Sequence, residues 1–161
     1  MVILITGKSG AGKSFIASKL QKKIKNSVIV DGDEVRKHFT PYLGYTLKDR
    51  KKNQMFIQKL CKYLEDKGNT VICATISLFN EHQKKNRKIF DDYIQIYLKS
   101  DPDNLKLRSL NEVYKLKKNV VGKDISFPKP YKNDFIFHNN YDNSVDEFVK
   151  EIIKKVKKKI K

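Results

Sequence analysis

Near the amino terminus the run Gly7-Lys8-Ser9-Gly10-Ala11-Gly12-Lys13-Ser14 satisfies G-x-x-x-x-G-K-[ST] at every fixed position. Each residue type has a task in anion chemistry. Gly7, Gly10 and Gly12 let the backbone curl so that N–H groups turn inward toward phosphate oxygens. A helix expected from about Lys13 adds the positive end of its dipole. Lys13 brings a mobile charge to the outer phosphates, and the Ser14 hydroxyl is a ligand for Mg²⁺. An apolar strand-like run precedes the loop and a helical pattern follows it, which is the context this chemistry needs. The loop reads as a cradle for ATP or a similar nucleoside triphosphate.

The second group is Asp31-Gly32-Asp33, at the end of the β-branched run "SVIV". In open α/β sheets, ligands sit beyond the carboxyl ends of the strands. Two acids there can coordinate Mg²⁺ or take a proton from an acceptor hydroxyl. They can also simply cap the helix that follows, and Asp33 can do both.

The elements that must position these groups are short strands at 2–6, 27–30, 70–75, 94–98 and 134–137. Helical patterns alternate with them at 13–24, 49–66, 80–90, 102–110 and 145–160, besides a short helix after Asp33. Gly68 follows the 49–66 pattern as a stop signal. This alternation predicts a three-layer α/β/α domain, 1–161, with a mostly parallel sheet of about five strands. The polar, irregular stretch from about 99 to 133 is expected to form a short lid.

Composition narrows the partners. The chain has 161 residues and a formal net charge of +17, but only four of its 35 cationic side chains are arginine: Arg36, Arg50, Arg87 and Arg108. Lysines spread over every segment read as a solvated surface, so neither a nucleic acid nor a membrane partner is expected. Where lysine is the default cation, arginine marks sites needing a planar, forked donor. No run approaches the ~18 apolar residues of a membrane span. The start lacks a charged region followed by a cleavage site, and Cys61 and Cys73 lack metal spacing, so buried free thiols and a cytoplasmic location are expected.

Taken together, "GKSGAGKS", "DGDEVR", "LGYTLKDRKKN" and "ISLF" resemble, in order and spacing, the motifs of the adenylyl-sulfate kinase (APS kinase) family of P-loop kinases. "LRSLNEVYK" is similar to that family's lid. The resemblance implies transfer of the γ-phosphate of ATP, with Mg²⁺, to the ribose 3′-hydroxyl of a small 5′-modified nucleotide. It implies that Asp33 accepts the hydroxyl proton beside the metal, and that Arg36, Arg50 and Asn53 hold the acceptor's 5′-phosphate and its substituent. Tyr45 takes the place of a phenylalanine that packs on the acceptor base. Ile76 and Ser77 fall in the family's acceptor motif, with a hydrogen-bonding role for Ser77, and Arg108 and Lys115 belong to the lid, Arg108 near ATP. Arg87 matches a family arginine but reads equally well as a helix-surface residue. Members are often homodimers.

The sequence also departs from the family pattern. Glu34 replaces an asparagine, and Ser126 and Phe127 replace a proline and a tyrosine. Val120 replaces the second aromatic clamp on the acceptor base, a loss worth roughly 1–3 kcal/mol by analogy with base stacking. The lid between Tyr114 and Asn119 is shorter than in typical members. Keeping the catalytic residues while altering those that read the base resembles the branch of the family acting on cytidine diphosphoramidate, because a pyrimidine offers less stacking surface than adenine. Adenylyl sulfate is the alternative acceptor. A nucleic-acid-dependent ATPase is the rival from another class; it would show steep salt dependence, and no basic groove pattern supports it.

Overall fold

The computed structural model describes residues 1–100, 118–139 and 144–159. In chain order the elements are β1 (Val2–Thr6), α1 (Lys13–Gln21), β2 (Ser27–Asp31), α2 (Gly32–His38), α3 (Leu47–Asp66), β3 (Thr70–Thr75), α4 (Asn80–Ile89), β4 (Tyr93–Lys99), β5 (Phe135–His138) and α5 (Ser144–Lys159). The strands form one sheet of order β2-β3-β1-β4-β5, parallel at every pairing. The helix expected at 102–110 and the 101–117 part of the lid stretch, with Arg108, Tyr114 and Lys115, lie outside the described residues.

Strand alternation sorts the core into two layers. Ile3 and Ile5 of β1, Ile72 and Ala74 of β3, and Ile94 and Ile96 of β4 point to one face. There they pack with Ile16, Ala17 and Leu20 of α1 and Phe148, Val149 and Ile152 of α5. Val2, Leu4, Val71 and Cys73 point to the other face, against Val35 of α2 and Ile57 and Cys61 of α3. The near-continuous apolar strands are thus covered on both sides, as a parallel sheet requires. Cys61 and Cys73 are free thiols inside the second layer.

Helix bounds differ from the sequence pattern where local hydrogen bonds intervene. Helix α1 stops at Gln21 rather than Ile24. The chain turns through Asn26 at φ 50°, and the Ser27 hydroxyl donates to the Ile24 carbonyl at 2.6 Å. Ile24 nevertheless reaches the core. Helix α3 starts two residues before the expected Asp49 because Thr46 caps it: the Asp49 amide donates to Thr46 Oγ1 at 3.2 Å, and the Thr46 hydroxyl donates to the Asp49 carboxylate at 2.7 Å. The T-x-x-D spacing is a capping signal readable in the sequence. Arg87, on α4, pairs with Asp134 at 3.0 Å and donates to the Lys132 carbonyl, tying α4 to the chain entering β5.

Candidate active site

The glycine-rich loop joins β1 to α1 at the carboxyl edge of the sheet. Gly12 is the N-cap of α1 with φ 90°, a backbone state that side chains resist. Lys13 folds back across the loop, its ammonium donating to the carbonyls of Gly7 at 3.1 Å and Lys8 at 2.8 Å. On the far side, the buried Asn139 amide donates to the Ala11 carbonyl at 2.9 Å, so the residue after β5 pins the loop. No sequence motif points to Asn139; sheet order alone brings β5's end there.

Strand β2 ends at Asp31, whose two carboxylate oxygens do different work. One accepts from the Asp33 amide at 2.9 Å and caps α2; the other accepts from the Ser14 hydroxyl at 2.5 Å. The loop's hydroxyl and the strand-tip acid are therefore already joined. This pairing is missing from the metal residues expected by sequence, Ser14 and Asp33, although Asp31 was legible as an acid at a strand end. Gly32 follows by necessity: a Cβ there would lie 2.5 Å from Thr75 Oγ1. The absence of a side chain lets α2 begin against the end of β3, and that fixes where Asp33 projects.

Asp33 opens onto a cleft of about 300 Å³ whose walls include Ser9, Gly10, Gly12, Lys13 and Ser14 on one side and Arg36, Tyr45, Arg50 and Asn53 on the other. Its side chain is exposed toward the cleft, with the loop and the arginine cluster on either side. Burial, and then the charge of Asp31, push its carboxyl above the ordinary aspartate range, with Lys13, Arg36 and Arg50 pulling the other way. Burial also draws the Lys13 ammonium down to about 8, against the pull of Asp33 and Asp31. Two groups with opposite charge and opposed shifts thus face one another across a polar cleft, the arrangement found where a protein handles charge during a reaction.

The opposite side of the cleft is built around Tyr45. The Arg36 guanidinium lies 4.7 Å and that of Arg50 5.3 Å from its ring centroid. Arg36 donates to the carbonyls of Leu43 and Gly44 at 3.1 and 2.6 Å; Arg50 donates to those of Tyr45 and Asn119 at 3.0 and 2.9 Å. Both arginines are mostly buried, and their backbone contacts hold the loop that carries Tyr45. Asn53, which also lines the cleft, uses its side-chain carbonyl to accept from the Thr40 hydroxyl at 2.6 Å.

Two residues expected to touch an acceptor are placed behind the walls instead. Ile76 lines the cleft, but Ser77 is fully buried. Its oxygen accepts from Gln54 at 2.5 Å and Gln83 at 3.2 Å, and its amide donates to Thr6 Oγ1 at 3.0 Å. Gln54 lines the cleft, whereas Ser77 is not among its walls. Val120 is 2% exposed, inside a turn closed by its amide donating to Asp124 Oδ2 at 2.9 Å. Glu34 turns outward and pairs with His38 at 3.1 Å. Away from the cleft, the carboxylates of Glu65, Asp66 and Asp91 gather around the Lys62 ammonium, at 3.0, 3.0 and 3.2 Å, which fills their centre with a protein cation.

A parallel sheet whose first strand opens into this loop, with acids at the tip of the next strand, defines a P-loop phosphotransferase. The family model for adenylylsulphate kinase matches residues 1–137, and the chain belongs to that family. It is a nucleotide-binding kinase. It is 38% identical over 151 residues to the cytidine diphosphoramidate kinase of Campylobacter jejuni, covering 88% of each chain. With the adenylyl-sulfate kinase of Clostridium kluyveri it shares 33% identity over 138 residues, 82% of this chain and 69% of that one. Its fold matches the structure of the Mycobacterium tuberculosis APS kinase CysC in complex with AMPPNP and APS, with a TM-score of 0.85 at 24% identity, over 97% of this chain and 96% of that one. Among the described residues no helix is long and apolar enough to cross a membrane.

Proposed function

We propose that the protein transfers the γ-phosphate of ATP to the ribose 3′-hydroxyl of a 5′-modified nucleotide, and that cytidine diphosphoramidate is its preferred acceptor. The observation that carries this reading is the position of Asp33, in one cleft between Lys13 of the phosphate loop and the Arg36–Tyr45–Arg50 cluster. Phosphoryl transfer passes through a loose transition state, so catalysis rests on placement and charge neutralisation. In this reading Lys13 neutralises the transferred group, Asp33 orients the hydroxyl and takes its proton, and the arginines receive the acceptor's anionic tail. Mg²⁺ fits the oxygens of Ser14, Asp31 and Asp33, a hard donor set suited to that ion; when bound it would add positive charge beside the phosphates.

The choice of cytidine rests on two supports. The base side of the cleft has a single aromatic from the expected pair, Tyr45, because position 120 carries a buried valine that is not part of its walls. Among the relatives above, the Campylobacter jejuni kinase has both the higher identity and coverage of 88% of each chain. An assay of ADP release with each acceptor is expected to give a higher kcat/KM for cytidine diphosphoramidate than for adenylyl sulfate. The opposite order would move the protein to the adenylyl-sulfate reading while leaving the 3′-kinase chemistry in place.

The acceptor role of Arg50 has its own test. Arg50 bridges the Tyr45 and Asn119 carbonyls with a fork that a single ammonium cannot reproduce. Arg50→Lys is expected to raise the acceptor KM roughly 10-fold or more, the scale of one charged hydrogen bond, while the KM for ATP changes less than about twofold by the same reasoning. Equal effects on both substrates would place Arg50 elsewhere in the mechanism.

A further inference from the structure

We infer that Phe15 is a stacking platform for the nucleoside part of a bound nucleotide, a role that rests on the reading of the cleft as a nucleotide site. Helix α1 is otherwise divided cleanly. Ile16, Ala17 and Leu20 face the core, and the outward side carries Ser14, Ser18, Lys19, Gln21 and Lys22. Phe15 breaks that pattern: it lies on the outward side, 56% exposed, and contributes nothing to either core layer. Single exposed aromatics are common on protein surfaces, but this ring has two features such residues lack.

First, it lines the same cleft as Lys13, Ser14, Asp33 and Tyr45, immediately after the loop hydroxyl. A nucleotide held there by its phosphates can extend its sugar and base past the first turn of α1 or across toward Tyr45, and Phe15 stands on that rim. Second, the ring is held. The Lys19 ammonium, one turn along the same helix, lies 5.1 Å from its centroid, and Lys19 is anchored by Asp146 of α5 at 2.7 Å. A cation against one part of the ring and open cleft beside it suit a π-surface presented to a planar base. The ring also supplies an aromatic wall in a cleft where position 120 does not.

The test is direct binding, measured by calorimetry on the whole protein without turnover. Phe15→Ala is expected to weaken binding of ATP, or of cytidine 5′-diphosphate added to protein already holding inorganic tripolyphosphate, by roughly 5- to 100-fold. Which of the two weakens identifies the donor or the acceptor as the stacked nucleotide. Inorganic tripolyphosphate, which has phosphates but no base, is expected to bind the variant as it binds wild type. Phe15→Tyr should restore affinity and Phe15→Leu should not, since leucine keeps the apolar bulk and loses the π-face. Unaltered affinity for both nucleotides in Phe15→Ala, an equal loss for tripolyphosphate, or full rescue by leucine would each overturn the inference. Wild-type protein that bound neither nucleotide would instead remove the function proposed above, and this inference with it.

Discussion

Asp33→Asn is expected to lower kcat at least ~10²-fold, the scale of losing a positioned general base, while ATP still binds. The amide is nearly isosteric with the carboxylate and keeps the helix start intact, because the cap on α2 comes from Asp31 and the Asp33 backbone amide. What it loses is the ability to accept a proton. Stability should move the other way. Burial and the neighbouring Asp31 raise the Asp33 pKa in the folded protein. Between the unfolded and folded values the native state therefore holds more protons than the unfolded one, and stability falls as pH rises through that window. At neutral pH the ionised carboxylate is a net cost, so Asp33→Asn should melt no lower than wild type, and higher if the strain is appreciable. A variant with wild-type turnover would remove Asp33 from the chemistry. Lost activity together with a large drop in Tm would make its role structural.

The second large effect is expected at Lys13. Lys13→Met keeps most of the unbranched length of the side chain and removes its charge, and should lower kcat/KM for ATP roughly 10²- to 10³-fold, the scale of deleting a preorganised donor to developing charge. The pH profile gives an independent reading. In the free protein, burial holds this ammonium at about 8, and Asp33 and Asp31 keep it from falling further. Above that pH a growing share of the protein carries a neutral amine where the phosphates must bind. The kcat/KM for ATP is thus expected to fall on an alkaline limb near 8, and on an acid limb set by the raised pKa of Asp33. Bound triphosphate adds negative charge beside the amine and pushes its pKa up, so kcat measured at saturating ATP should hold to higher pH than kcat/KM. A limb at the same pH in both quantities would assign it to another group.

These two residues were legible in the sequence because phosphate chemistry fixes residue types at short spacing. Gly12, Lys13 and Ser14 belong to one turn of chain, and a strand ending in Asp31-Gly32-Asp33 has few other readings. Two of the strands were legible for a related reason: β1 and β3 are short, β-branched-rich runs buried at every residue, and both have the predicted bounds. Helix ends were less so, because α1 and α3 are bounded by single hydrogen bonds from Ser27 and Thr46 that periodicity does not register. The T-x-x-D spacing of Thr46 and Asp49 that caps α3 is nonetheless a local signal in the sequence.

Partner choice across the sheet was decided elsewhere. Ser14 and Asp31 are far apart in sequence, and their 2.5 Å contact exists because β2 and the loop after β1 reach the same edge of one parallel sheet. The same edge brings Asn139 under the loop and turns Ser77 into the buried junction of Gln54 and Gln83, away from the cleft it was expected to face. Tyr45, which the family resemblance offers as a base platform, has two guanidiniums close to its ring. By itself the sequence determined the phosphate loop, the strand-tip acids and the kind of fold, since those follow from local spacing and hydrophobic period. Only the tertiary structure decided which groups meet, because strand order sets those distances and no local pattern encodes it.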